Sequence, residues 1–405
     1  MNWLPSKMIP FSPPDISEQD IHCIMDALKS GWITTGPKTK EFEKQISLFC
    51  GASKAVCLSS ATAGMELTLR LLGIGPGDEV ITSAYTYSAS ASVIAHVGAD
   101  IVLCDTEKDS CFLDIDSVEK AITPKTKAVI PVDIGGMIFD YPALIALAEE
   151  KKRLFSPKTD WQKTIGRIAV IADAAHSFGS VRNGKQSGCE ADFSCFSFHA
   201  VKNLTTAEGG AIIWPFKPGI SDEDIYREFM LLALHGQSKD ALSKMKPGAW
   251  EYDIVHLGYK YNMTDISASL GLSQLARYPE MLARREQIAR IYDNGLTSCD
   301  VELLCHSGKD FISNKHLYMT RVLGVDEDKR NSIIAQMAEK GIATNVHFKP
   351  LPLFTAYKKR GFHITDFPNA YNRYCNEITL PLYTKLADDD AHYVCETYRD
   401  IVSKI

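Results

Sequence analysis

The sequence predicts an α/β fold: a large domain on a mostly parallel central sheet, followed by a smaller C-terminal α+β domain. Three observations predict it. Between residues 54 and 175, short apolar runs alternate with helical segments, the pattern of strands joined by helical crossovers. The runs are nearly continuous in Val, Ile, Leu and Ala, as strands covered on both faces require. From about residue 265 the pattern changes to long helix and then to shorter mixed segments.

The elements follow in order. "PPDISEQDIHCIMDALKSG" reads as a capped amphipathic helix. Ile16, Ile21, Ile24, Met25 and Leu28 recur at helical spacing, Ser17 is the N-cap, and Gly31 ends it. "KAVCLSS" is a strand and "TAGMELTLRLLG" a helix; "GDEVITSA" is a strand and "SASASVIAHVG" a helix. "DIVLCDT" and "KAVIPVD" are strands around the helical "DIDSVEKAI", and "YPALIALAEEKKRL" is a helix before the strand "IAVIADAA". "ADFSCFSF" is strand-like. "TDISASLGLSQLARYPEMLARREQIARIYDNGL" reads as one long helix, and "HLYMTRVLG", "DKRNSIIAQMAEKG" and "DDDAHYVCETYRDIV" as the smaller domain. These assignments divide the chain into residues 1–275 and 276–405. "PKTDWQKTIGR", residues 157–167, reads as a surface insertion, and residues 235–256 as a long polar loop, either mobile over a partner's site or a plain connection.

Composition bounds the function. The chain has 405 residues, 45% hydrophobic and 23% charged, with a net charge of −6. No basic stripe points to nucleic acid, and no segment is apolar enough to cross a membrane. The eleven cysteines contain no CxxC pair, which reads as reduced thiols in a cytoplasmic protein rather than a disulfide framework. Their spacing also lacks a metal-cluster pattern.

The chemistry concentrates in two stretches. In "IADAAHSFGS", Asp173 ends a buried strand, where open α/β sheets bind ligands. In "FSFHAVKNLTTAEGG", Lys202 is a single ammonium among small, aromatic and hydroxyl residues. Taken alone, Asp173 is equally a turn carboxylate and Lys202 a snorkelling lysine. Together they are more specific. Upstream, "SSATAG" lies at a strand-to-helix junction, whose free N–H groups and dipole suit a phosphate. Phosphate cradle, carboxylate and isolated lysine are the parts that hold pyridoxal phosphate.

With "SGWITTGPKTKEFEK", "SSATAGMEL", "GDEVITSAYTYSASASVI", "IADAAHSFGS", "FSFHAVKNLTTAEGG", "GYKYNMTDISASLG" and "NVHFKPLPLF" in this order, the chain resembles the DegT/DnrJ/EryC1/StrS sugar aminotransferases. The resemblance spans nearly the whole chain and implies the fold of the type I pyridoxal-phosphate aminotransferases. It implies that Lys202 forms the Schiff base with the cofactor aldehyde and later moves the proton. It implies that Asp173 faces the pyridinium nitrogen, and that His176 lies beside the ring, either packing or acting in proton transfer. A satisfied core histidine is the bland alternative for His176. Tyr87 matches the stacking aromatic, although either Tyr85 or Tyr87 could be a core tyrosine. Ala61, Thr62 and Ser197 match the phosphate positions, Ser197 alternatively being a sheet hydroxyl.

"GYKYNMTDI" departs from the commoner Gly-Tyr-Asn-x-Arg-Met. Lys260 stands at the Asn position and Asn262 at the Arg position. The resemblance implies that Asn262, with Lys260 nearby, reaches the other subunit's cofactor phosphate in a homodimer. Because Lys202 is present, the dehydratase relatives, which carry His there, do not fit; no metal is expected. The implied reaction moves an amino group from L-glutamate, leaving 2-oxoglutarate, through pyridoxamine phosphate, to a nucleotide-linked 4-keto sugar, UDP-linked and either 6-hydroxy or 6-deoxy. The product would be a 4-amino sugar for surface polysaccharide, lipopolysaccharide or glycan. The rivals are a 3-keto-sugar aminotransferase and a non-catalytic sensor that kept the fold.

Overall fold

The computed structural model describes residues 8–215, 219, 221–239, 250–297 and 299–405. Of the 235–256 segment, residues 240–249 lie outside the described residues. Its flanks are tied together, Val255 N–H donating to Gly236 O at 2.8 Å and Ser238 N–H to Asp253 O at 2.9 Å.

The apolar runs form strands β1 (Lys54–Leu58), β2 (Glu79–Ser83), β3 (Asp100–Cys104), β4 (Thr126–Ile130) and β5 (Ala169–Asp173). After a small hairpin, β6 (Val181–Arg182) and β7 (Lys185–Gln186), come β8 (Phe193–Ser197) and β9 (Gly210–Trp214). The seven-stranded sheet has the order β1-β9-β8-β5-β4-β2-β3. Strands β8, β5, β4, β2 and β3 run parallel; β9 is antiparallel to both neighbours. It reverses because it follows β8 without a helical crossover.

Both faces of the sheet are covered, as the continuous apolar runs require. One side carries Phe42, Ile46, Phe139, Leu144 and Phe178; the other carries Met65, Leu67, Leu69, Val93 and Phe229. The helix Ala61–Leu71 lies deep, with nine of its 11 residues buried. At Gly64 a Cβ would stand 3.0 Å from Ile212 Cγ1, so the missing side chain lets the helix seat on β9.

The first helix, Glu18–Lys29, has the expected N-cap: Ser17 accepts from Asp20 N–H, and Asp20 returns a bond to the Ser17 N–H. The helix ends at Ser30, and Gly31 follows at φ +74°, a left-handed turn that glycine adopts without strain.

The long helix expected over 264–296 is corrected to two, Asp265–Ala276 and Tyr278–Leu296. Arg277 leaves helical geometry (φ −104°, ψ 5°), and Pro279 follows in the first turn of the second helix. Proline lacks the N–H that would continue the first ladder but suits a helix start. The second helix places Tyr278 and Met281 in the sheet core and Ile288, Ala289, Tyr292 and Leu296 in a C-terminal core. That core covers an antiparallel sheet, β10 (Val301–Leu303), β12 (Tyr318–Val322) and β13 (Glu377–Leu380). Strand β11 (Phe311–Ile312) instead pairs with β6. The division at 275/276, drawn from the change of pattern, stays a proposal; the helix break lies just beyond it, at Arg277. Ile9 pairs with Ile342 and joins the C-terminal core, which brings the N-terminal segment back to that part of the chain.

The 157–167 segment holds a short helix, Asp160–Ile165. It is anchored rather than free: Gln162 is buried and donates to Leu72 O at 2.9 Å, and Lys158 pairs with Asp78 at 2.6 Å. Among the described residues no helix is long and apolar enough to cross a membrane.

Candidate active site

The carboxyl ends of β1, β5 and β8 open into one cavity of about 930 Å³, lined by Ser60, Ala61, Thr62, Tyr87, Asp173, His176, Ser197 and Lys202. The register explains the meeting: Gly210 at the start of β9 lies opposite both Leu58 of β1 and Ser197 of β8. Strand β5 adjoins β8, with Asp173 opposite Cys195.

Lys202 stands in the turn after β8, its N–H donating to His199 O at 2.9 Å. The next residue fixes that turn from behind. Asn203 donates to Asn314 O and bonds His316 Nδ1, both at 2.9 Å. Loss of hydration lowers the Lys202 amine from 10.5 to about 8, and the Asp173 charge opposes the drop. At pH 7 about a tenth of such amines are neutral, some 300-fold more than for an exposed lysine. Nucleophilic use of the amine needs that neutral form.

Asp173 is 4% exposed. Ser90 Oγ–H donates to its Oδ2 at 2.7 Å and Ala175 N–H to its Oδ1 at 3.3 Å. Burial raises its pKa, while Ser90, Ala175 and Lys202 pull it back. His176 is buried, its ring centroid 4.4 Å from that of His316 and stacked at 5.7 Å on Phe348. Desolvation, then the Lys202 charge, then His347 hold its pKa well below the usual value, so the ring is neutral. Gly135 N–H approaches His176 Nδ1 at 3.4 Å, which leaves the ring hydrogen on Nε2.

The structure separates the two tyrosines. Tyr85 is fully buried and donates to His347 O at 2.5 Å. Tyr87 is 67% exposed and stands in the cavity wall.

At the cradle, Ser60 caps the helix Ala61–Leu71 by accepting from Ala63 N–H at 3.0 Å. The N–H groups of Ala61 and Thr62 engage no acceptor among the described residues, as expected of a first helical turn. A Cβ on Gly210 would stand 2.4 Å from Ala61 N and 2.6 Å from Phe196 O. Only glycine allows that approach. Free amides, the neighbouring Ser197 hydroxyl, a buried carboxylate and a partly neutral amine fit the phosphate, ring nitrogen and aldehyde of pyridoxal phosphate.

Asn262 and Lys260 do not line this cavity. Asn262 donates to Thr35 Oγ1 at 2.6 Å and accepts from Lys260 Nζ at 2.5 Å. Sequence reasoning missed Ser90, Asn203, His316, His347 and Phe348. His347 and Phe348 lay in the quoted "NVHFKPLPLF" and Asn203 beside Lys202, so adjacency was their available signal. Ser90 also lay within a motif, "GDEVITSAYTYSASASVI", with nothing local to single it out, and His316 carried no signal, because their roles come from contacts across 83 and 113 residues.

The model of the DegT/DnrJ/EryC1/StrS aminotransferase family matches residues 14–399. Among curated proteins, the spore coat polysaccharide biosynthesis protein SpsC of Bacillus subtilis (strain 168) is 38% identical over 401 residues, 97% of each chain. Among solved structures, Spr1654 of Streptococcus pneumoniae, described as a sugar aminotransferase, is 54% identical in its PMP form. It aligns with a TM-score of 0.96 over 98% of this chain and 99% of that one. Its PLP form has also been solved. PseC of Helicobacter pylori, an aminotransferase involved in the biosynthesis of pseudoaminic acid, is 25% identical, with a TM-score of 0.85 over 98% of this chain and 100% of that one.

Proposed function

This chain belongs to the DegT/DnrJ/EryC1/StrS aminotransferase family, and from that premise we propose that it aminates a UDP-linked 4-keto-6-deoxy sugar, with L-glutamate as donor. The product would be a 4-amino sugar for surface polysaccharide or glycan. The broader statement needs no proposal: it is a pyridoxal-phosphate-dependent sugar aminotransferase.

The observation that carries the amino-transfer part of this reading is the Lys202 amine, lowered to about 8 in a cavity it shares with the buried Asp173 carboxyl; the sugar and donor rest on the family likeness. When bound, pyridoxal phosphate supplies an aldehyde that takes up amines and a ring that accepts electron density from the reacting carbon. Lys202 Nζ takes a proton from glutamate Cα in the first half-reaction and delivers one to the sugar carbon in the second. Asp173, steadied by Ser90 and Ala175, would accept a hydrogen bond from the ring nitrogen. The amides of Ala61 and Thr62 and the Ser197 hydroxyl would hold the phosphate. Tyr87 would supply the aromatic face against the ring. Neutral His176 would lie beside it with its Nε2 hydrogen to offer. Asn262 reaches the phosphate in the partner subunit of a homodimer, with Lys260 beside it. The kinetics are ping-pong.

The test is a mass-spectrometric screen of UDP- and dTDP-linked 3-keto and 4-keto sugars with glutamate. Amination of the UDP-linked 4-keto sugar is the expected result. Exclusive amination of 3-keto sugars, or none with glutamate, would overturn the assignment.

A further inference from the structure

Glu377 lies on β13, outside the cavity, and is fully buried. Its carboxyl accepts two hydrogen bonds. The His347 N–H donates to Oε2 at 2.7 Å, and the Thr379 hydroxyl donates to Oε1 at 2.5 Å. Thr379 Oγ1 also lies 2.9 Å from His347 Nδ1. Thr379 is itself fully buried, and its backbone exchanges bonds with Asn345 at 2.8 and 3.0 Å. The segment carrying His347 is thereby held alongside β13.

Hydrogen counting sets the direction. With the Glu377 carboxyl ionised, the one hydroxyl hydrogen of Thr379 is spent on it. The Thr379 oxygen can then only accept from His347. Nδ1 therefore carries the ring hydrogen, and Nε2 keeps a lone pair. Burial and the Lys202 charge lower His347 to about 3, so Nε2 stays unprotonated. Nε2 has no protein partner among the described residues, and His347 lines the cavity with Lys202. The ring is braced by Phe11, stacked at 5.7 Å, and by Phe348, edge-on at 5.1 Å. A fixed, neutral acceptor in a cavity wall recognises a ligand O–H or N–H group.

We infer that Glu377, acting through Thr379, is a positioning residue that holds His347 with Nε2 facing the substrate as an acceptor for a sugar hydroxyl. The identity of that hydroxyl donor rests on the sugar reading above; the relay itself does not. Two buried arginines, Arg373 and Arg330, favour the carboxylate. Burial opposes them and raises Glu377 to about 8, so the relay is tested at pH 9, with the carboxylate ionised.

Glu377→Gln is nearly isosteric but reverses the relay. The amide oxygen keeps the His347 N–H. Its NH2 then donates to Thr379, which turns its hydrogen toward Nδ1 and moves the ring hydrogen to Nε2. In protein labelled with nitrogen-15 histidine, the His347 signals, assigned by comparison with His347→Gln, should exchange between the two nitrogens. KM for the accepted keto-sugar nucleotide should rise about tenfold, the loss of one hydrogen bond at a site built for it, with kcat within about threefold. Thr379→Val should raise KM similarly and Thr379→Ser restore it; this pair decides the matter if Glu377→Gln does not fold. Wild-type protein carrying its ring hydrogen on Nε2 would overturn the inference. So would Glu377→Gln or Thr379→Val leaving both the tautomer and KM unchanged. If no keto sugar is accepted by the wild type, the sugar reading fails while the tautomer measurement still judges the relay.

Discussion

Replacing Lys202 by Met should stabilise the protein freed of cofactor, and do so only below alkaline pH. Burial disfavours the ammonium, setting it at about 8 against 10.5 for an exposed lysine. That gap corresponds to ~3 kcal/mol at most. The side chain is partly exposed, so solvent screening reduces the figure to ~2 kcal/mol. Below pH 8 both folded and unfolded chains carry the charge, and the folded chain bears the desolvation cost. Between pH 8 and 10.5 the unfolded chain binds more protons at this site, so wild-type stability gains with rising pH. Above 10.5 both are neutral and the cost is gone. The stability difference between Lys202→Met and wild type should therefore be largest at pH 7 and shrink by ~2 kcal/mol toward pH 10.5. Urea unfolding of the two apoproteins across this range measures it, and subtraction cancels the other titrating groups. Competitive labelling of Lys202 by a small amine-reactive reagent should give a midpoint near 8. A pH-independent difference, or a labelling midpoint near that of exposed lysines, would refute the reasoning.

Amino transfer by Lys202→Ala should fall by at least ~10³-fold, because the proposed mechanism assigns the mobile proton to its amine; a glutamate–keto-sugar assay reads it. Ser90→Ala removes the donor 2.7 Å from Asp173 Oδ2. Burial then acts with less opposition, so the acid limb of the pH–rate profile should move to higher pH, with a loss of ~1–2 kcal/mol in urea unfolding. Gly210→Ala forces a Cβ to 2.4 Å from Ala61 N and should weaken pyridoxal phosphate binding by ~10-fold or more, measured by equilibrium titration. Tyr87→Ala should weaken cofactor binding about two- to tenfold with little effect on unfolding. Tyr85→Phe, which loses the bond to His347 O, should instead cost ~1 kcal/mol of stability.

Much of the fold was legible because burial on both faces writes itself as uninterrupted Val, Ile and Ala runs, as in "AVIAD". The Ser17 cap and the Gly31 stop were legible because both are local chemistry. The helix break at Arg277 was not: apolar spacing continues through 277, and Pro279 is compatible with a helix start as well as with a stop. The antiparallel sense of β9 was hidden too, since strand direction follows from the connection and not from composition.

By itself the sequence determined the residue types at the cradle, the carboxylate and the isolated lysine, since each is a chemical identity placed at or soon after a strand end. Only the tertiary structure decided what those groups become. It lowered Lys202 to about 8 by desolvation, placed Tyr87 in the cavity wall and Tyr85 in the core, and joined Ser90 to Asp173 and Thr379 to His347. Protonation, tautomer and exposure depend on distances between residues far apart in the chain, and those distances exist only after the sheet and the C-terminal core have packed.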